Sequence, residues 1–157
     1  MAVQLTLGEV LREAIQKEVM SRFMYIGLRQ SVKNPEAKEA FKLIAEQEEF
    51  HQKVLQDYLR GRIKEGALNY RLVVDKKISD QFGQPDVTPN MELKDVFVLA
   101  IKKEQTAHNF YANLSVIHPE GRVKKLLEML SAEELEHKAL IEKIYDELYL
   151  AVPDTTK

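Results

Sequence analysis

The chain contains no cysteine, and its 157 residues include only six glycines and five prolines. Without cysteine it can form no disulfide and carry out no thiol redox chemistry, so any redox function must depend on a metal or another bound cofactor. No apolar run approaches the roughly 20 residues of a membrane-spanning helix, and the N-terminus lacks a basic region followed by an apolar stretch. We therefore expect a cytoplasmic protein that does not enter a membrane.

The charge of the chain is nearly balanced, with 23 Lys and Arg against 25 Asp and Glu and a formal net charge of −2. Because the cations are spread along the sequence, there is no electrostatic case for binding to nucleic acid or to a membrane surface. The composition, with 45% apolar and 31% charged residues, is ordinary for a helical protein. We expect residues 1–157 to form a single domain with a substantial core.

Four segments carry apolar residues at alternating steps of three and four, which is the pattern of a helix with one buried face. Around Glu48 this stripe runs from Phe41 and Ile44 to Leu55 and Tyr58. Each of the four stripes holds a glutamate in its middle, and two of them also hold a histidine. These inward-facing polar residues are Glu18, Glu48, His51, Glu104, Glu134 and His137.

The same residues form a repeat with a fixed offset of 86 residues. Glu18, Tyr25, Glu48 and His51 in the first half recur as Glu104, Tyr111, Glu134 and His137 in the second. Residues i and i+3 share a helix face, so each Glu-x-x-His pair presents oxygen and nitrogen donors to a single point. Two such pairs, with one glutamate from each of two further helices, are the ligand set of di-iron carboxylate bundles.

Four buried carboxylates need compensation, because an unpaired ionised group in an apolar interior is strongly disfavoured. Two divalent cations would supply it, and oxygen and nitrogen donors without thiolate suit iron or manganese and do not exclude zinc. The alternative is a bundle without metal, in which protonation or pairing with histidine neutralises the carboxylates. The predicted roles are terminal ligands for Glu18 and Glu104, bridges for Glu48 and Glu134, and one nitrogen donor per metal for His51 and His137.

Capping and helix-breaking residues place these motifs on four long helices. The predicted helices run from Thr6, in a capping box with Glu9, to about Ser31, from Asn34 and Pro35 to about Gly61, from about Met91 to His118, and from Pro119 to about Leu150. Thr88, Pro89 and Asn90 are predicted to open the third helix. The short links within each pair predict an all-α four-helix bundle of two antiparallel hairpins joined by a long crossover.

The crossover, residues 62–87, is longer than a compact domain normally leaves without structure. We expect it to run the length of the bundle, so that the second and third helices are parallel. Its apolar residues would pack on the outside of the bundle or against a second subunit; they are Tyr70, Leu72, Val73, Val74, Ile78 and Phe82. Apolar residues on outward helix faces, among them Phe23, Ile26, Phe50 and Val98, favour a homodimer.

The ligand segments resemble those of the ferritin-like di-iron superfamily, in particular rubrerythrin and bacterioferritin. They are EVMSRFMY at 18–25, AEQEEFH at 45–51, EQTAHNFY at 104–111 and AEELEH at 132–137, and the likeness spans nearly the whole chain. The chain has Ala107 where rubrerythrins carry an additional Glu, and Glu49 where bacterioferritins carry a haem-ligating Met. The resemblance implies a ferritin-like fold that holds two iron ions per chain in a symmetric ligand set.

The resemblance further implies an oxidoreductase that reduces hydrogen peroxide or dioxygen. The sequence has no Cys-rich rubredoxin module, so the electrons would come from a separate donor, either rubredoxin-like or a flavoprotein. The alternatives are a ferritin-like ferroxidase that stores iron, a di-iron hydroxylase of an organic substrate, and a structural bundle without metal. Manganese in place of iron would indicate catalase-like dismutation instead.

Several residues near the predicted ligands have more than one interpretation. Tyr25 and Tyr111 are either ordinary core residues or candidate catalytic residues, whose hydroxyls donate to a bridging carboxylate or lend an electron. His108 is interpreted as a hydrogen-bond partner or an interior residue, with metal coordination as the alternative. His118 is predicted to mark a helix boundary, and Glu133 to lie on a solvated face.

Overall fold

The protein is an all-α four-helix bundle, as predicted. The computed structural model describes residues 5–79 and 87–150. Within them, the helices are α1 (Leu7–Ser31), α2 (Pro35–Leu59), the short α3 (Lys76–Ser79), α4 (Leu93–Val116) and α5 (Arg122–Tyr145). Helix α1 packs along α2, and α4 packs along α5, which confirms the two predicted hairpins.

The first two long helices begin at the predicted capping residues. The backbone N–H of Glu9 donates to Oγ1 of Thr6 (3.2 Å), and the backbone N–H of Thr6 donates to Oε2 of Glu9 (3.1 Å). In α2, Oδ1 of Asn34 accepts a hydrogen bond from the backbone N–H of Glu36 (2.8 Å), and Pro35 is the first helical residue. These contacts satisfy N–H groups that have no partner within the helix.

Helix α4 begins at Leu93 rather than at the predicted Met91. The backbone N–H of Met91 donates to the carbonyl of Thr88 (3.2 Å) and closes a turn there. Glu92 then becomes the residue that precedes the helix. The Thr-Pro-Asn sequence therefore forms a turn before the helix and does not cap it.

Helix α5 begins at Arg122 rather than at the predicted Pro119, because Gly121 lies against the crossover. A Cβ atom on Gly121 would lie 3.0 Å from the carbonyl oxygen of Glu65 and from the backbone nitrogen of Gly66. The backbone N–H of Val123 donates to the same Glu65 carbonyl (3.1 Å). This contact holds 119–121 out of the helix.

At its other end α5 stops at Tyr145, and a π-helical turn, Asp146–Leu150, continues to the predicted end.

The first part of the crossover packs against the N-terminal end of α1, where the backbone N–H groups of Leu7 and Gly8 donate to the carbonyls of Leu72 and Tyr70. Strand β1 (Leu5–Thr6) pairs in antiparallel fashion with strand β2 (Val73–Val74). The hydroxyl of Tyr58, at the end of α2, donates to Nε2 of His118, just beyond the end of α4 (2.6 Å). The C-terminal ends of α2 and α4 therefore lie together, and these helices are parallel, as predicted.

The apolar residues of the crossover divide into buried and exposed groups. Val74 and Ile78 join the core, whereas Tyr70, Leu72 and Val73 are exposed. Phe82 lies outside the described residues, so its predicted packing stays a prediction.

The core consists of two apolar clusters at different heights of the bundle. One includes Leu11, Leu55, Tyr111 and Leu127, and the other includes Tyr25, Phe41, Phe97 and Ile141. The buried glutamates and histidines belong to neither cluster and form a polar layer between them. None of the described helices combines the length and the apolar character needed to span a membrane.

Candidate metal centre

The structure brings together all six predicted metal ligands. Each has at most 4% of its surface exposed. The side chains form two groups, and within each group the ligand atoms lie within 4.8 Å of one another. One group is Glu18, Glu48, His51 and Glu134, and the other is Glu48, Glu104, Glu134 and His137. Glu48 and Glu134 belong to both groups. Each of the four long helices contributes one glutamate, and α2 and α5 also contribute one histidine each.

One buried polar atom of each of these residues has no hydrogen-bond partner. These atoms are Oε2 of Glu18 and Glu104, Oε1 of Glu48 and Glu134, and Nδ1 of His51 and His137. Some approach closely without hydrogen-bond alignment: Nδ1 of His51 lies 2.8 Å from Oε1 of Glu134. A buried polar atom without a partner costs about 1–3 kcal/mol. Six convergent oxygen and nitrogen atoms of this kind fit divalent cations, which would satisfy all of them.

The outer nitrogens of both histidines are held by hydrogen bonds. Nε2–H of His51 donates to Oε2 of Glu133 (2.6 Å), and Nε2–H of His137 donates to Oε1 of Gln47 (2.5 Å). Because Nε2–H of each histidine is engaged on the outer side, Nδ1 faces the polar layer, and its lone pair would be the one offered to a bound cation.

The prediction that Glu133 lies on a solvated face was wrong. Its side chain is 25% exposed and bonds to His51. Sequence reasoning also missed Gln47. The signal that could have found both is the repeat, because Gln47 and Glu133 each immediately precede a repeated glutamate and are related by the same offset of 86 residues.

Tyr25 and Tyr111 donate to the glutamates of the opposite hairpin. The hydroxyl of Tyr25 donates to Oε1 of Glu104, and that of Tyr111 donates to Oε1 of Glu18 (2.5 Å). The acceptors are thus the glutamates that belong to one group each, rather than the predicted bridging carboxylates. Burial, together with these carboxylates, raises the pKa of both phenols well above the ordinary value of 10, so each remains a donor.

Protons must offset the charge of the cluster when no metal is bound. Burial and then repulsion from Glu134 raise the pKa of Glu48 well above its ordinary value of 4.5. Burial opposes the charging of His51, but the carboxylates of Glu18 and Glu133 outweigh it and raise the pKa of His51 to about 11. Cations bound to the same atoms would displace these protons, so metal binding should release protons.

The two remaining histidines, His108 and His118, form hydrogen bonds to other parts of the protein. Nδ1 of His108 lies 2.8 Å from the backbone oxygen of Ser131 and joins α4 to α5, outside both ligand groups. His118 is buried and does more than mark a helix boundary. Its Nδ1–H donates to the carbonyl of Leu114 (2.7 Å), and its Nε2 accepts from Tyr58.

A narrow cavity of about 30 Å³ reaches the polar layer between α1 and α4. Its lining includes two of the predicted ligands, and Ala107 keeps it open where a larger side chain would fill it. The lining residues are Lys17, Glu18, Ser21, Lys103, Thr106, Ala107 and Glu134. A space of this size holds one or two water-sized molecules, whereas sites for drug-sized organic ligands are about 300–1,000 Å³.

Comparison with known proteins gives the family and the fold of this chain. The sequence model of the rubrerythrin family matches residues 9–83 and 95–156. The chain belongs to the rubrerythrin family. A Thermotoga maritima protein described as ferritin-like and diiron-carboxylate superposes with a TM-score of 0.71, covering 94% of this chain and 99% of its own, at 19% identity. At that identity the superposition shows the ferritin-like fold. No curated protein matches the sequence significantly.

Proposed function

We propose that this rubrerythrin-family protein is a di-iron oxidoreductase that reduces hydrogen peroxide or dioxygen with electrons from a separate donor. The observation that carries the proposal is the convergence of six partnerless buried atoms on one polar layer. Their oxygen and nitrogen donors suit iron, and manganese or zinc would also fit the set. The proposed ligands are Glu18, Glu48, His51, Glu104, Glu134 and His137.

Iron bound in this layer would supply the two electrons that convert hydrogen peroxide and two protons into two molecules of water. The protein would position the reaction and protect it. The apolar clusters on both sides of the layer exclude bulk water, and the hydroxyls of Tyr25 and Tyr111 fix the carboxylates of Glu104 and Glu18. As proposed catalytic residues, these tyrosines would lend an electron to the centre through the carboxylates that they contact.

The size of the cavity supports a small oxidant as the substrate. About 30 Å³ accommodates hydrogen peroxide or dioxygen but no organic molecule of hydroxylase-substrate size. Glu18 and Glu134 are among the lining residues of the cavity, so an oxidant in it would lie beside two of the proposed ligands.

The proposal is tested by adding hydrogen peroxide to iron-loaded protein in the presence of a reduced rubredoxin or flavoprotein. We expect catalytic consumption of peroxide. Ala107→Val should slow it while metal content stays unchanged, because the added methyl groups narrow the cavity. The exposed variant Glu46→Gln is the matched control. Protein that holds iron but leaves peroxide untouched would count against an oxidoreductase role.

We propose further that the chain acts as a homodimer. Phe23 and Phe50, on helices α1 and α2, are 61% and 47% exposed, and burial of such side chains stabilises an interface. Sedimentation of the purified protein should give the mass of a dimer. A cage-sized particle would instead favour the iron-storage alternative.

A further inference from the structure

The outer partners of the two histidines differ in charge although their geometry is the same. Gln47 and Glu133 are related by the offset of 86 residues that also relates Glu48 to Glu134. Both are half-buried. The Nε2 atom of His137 lies 2.5 Å from the amide oxygen of Gln47, and that of His51 lies 2.6 Å from the carboxylate of Glu133. The repeat is therefore symmetric in the predicted ligands and asymmetric immediately behind them.

This difference changes what each imidazole can offer a cation. A carboxylate that accepts the N–H of an imidazole increases electron donation from the opposite nitrogen and adds a negative charge nearby. An amide oxygen holds the same tautomer but brings no charge. Partners of this kind typically change metal affinity about 10- to 100-fold when they are removed.

We propose that Glu133 is a positioning residue that acts through His51 and makes the two metal positions unequal. The position formed with Glu18 and His51 binds a divalent cation first and more tightly. The position formed with Glu104 and His137, which has Gln47 behind it, fills second. This inference rests on the proposed metal centre but not on the reaction catalysed there.

The test is a titration of the metal-free protein with Co²⁺, followed by visible absorption and by calorimetry. Wild-type protein should bind in two steps whose association constants differ about 10- to 100-fold. Glu133→Gln should lower the first constant by about the factor that separates the two in the wild type, 10- to 100-fold, and so merge the two steps. Gln47→Glu should raise the second constant and merge the steps at higher affinity.

The exchanged double variant, Gln47→Glu with Glu133→Gln, distinguishes this role from a structural one. It should restore two separate steps, which simple damage to the fold would not do. The exposed variant Glu136→Gln, on the same helix as Glu133, should titrate like the wild type. Equal constants in the wild type, or an unchanged first constant in Glu133→Gln, would overturn the inference and leave the metal centre intact. Failure of every variant and of the wild type to bind Co²⁺ would overturn both.

Discussion

Glu48→Gln should stabilise the metal-free protein and weaken the metal-bound one. Glu48 is 1% exposed, its Oε1 has no hydrogen-bond partner, and it belongs to both ligand groups. Glutamine has nearly the same shape, removes one charge and offers two N–H donors to the surrounding carboxylate oxygens. The substitution thus lowers the repulsion between carboxylates in the metal-free cluster but removes a proposed bridging ligand.

The expected gain in stability of the metal-free variant follows from Oε1 of Glu48, which has no hydrogen-bond partner in the wild type. Satisfying one buried acceptor should contribute about 1–3 kcal/mol to the free energy of unfolding. Each kcal/mol shifts the Tm of a protein of this size by about 2–4 °C. Each of the two proposed metal ions, at about one hundred times its Kd, stabilises the wild type by about 2.7 kcal/mol. The variant should gain much less from metal, so the order of stability reverses when metal is added.

The gain in the metal-free protein should also depend on pH. The pKa of Glu48 in the fold is raised above the ordinary 4.5, mainly by burial. Its contribution to stability is therefore fully present below that ordinary value and is lost as the pH rises. Glutamine does not titrate, so the advantage of the variant should be small near pH 4.5 and grow toward neutral pH.

Scanning calorimetry in EDTA and in Mn²⁺ measures both parts of this prediction. Glu46→Gln, an exposed substitution on the same helix, is the control for loss of a surface charge. A lower Tm for Glu48→Gln than for the wild type in EDTA at neutral pH would refute the view that burial and repulsion from Glu134 disfavour the ionised Glu48 carboxylate when no metal is bound.

Three further predictions concern residues outside the proposed metal centre that stabilise the bundle. Gly121→Ala should destabilise the protein by about 1–3 kcal/mol in urea unfolding, because a Cβ would meet Glu65 and Gly66 at 3.0 Å. His118→Gln should flatten the fall of unfolding free energy below pH 6.5: burial lowers the pKa of His118, so its contribution is present above that value and is lost as the pH falls. Thr6→Ala should cost about 1 kcal/mol, measured the same way, through loss of the capping box.

The sequence predicted those features that depend on spacing along one helix. The stripe that buries Glu48 and His51 follows from helical periodicity, and the starts of α1 and α2 follow from local caps at Thr6 and Asn34. The offset of 86 residues then related one hairpin to the other without knowledge of their packing.

Features that depend on contact between distant segments were not predictable in this way. The repeat relates Glu133 to Gln47, but only the packing of α5 against α2 shows that the partner of Glu133 is His51. The start of α5 depends in the same way on the approach of Gly121 to Gly66, and the role of His118 on its contact with Tyr58. Periodicity within a helix carries no information about such partners.

The most direct test of the account is metal analysis of protein purified without oxygen, with Glu48→Ala and His137→Ala beside the wild type. We expect about two iron ions per wild-type chain and loss of metal from both variants. His108→Gln should keep its metal, since His108 lies outside both ligand groups. Absence of stoichiometric metal from the wild type under every loading condition, or full retention in both alanine variants, would contradict the central claim.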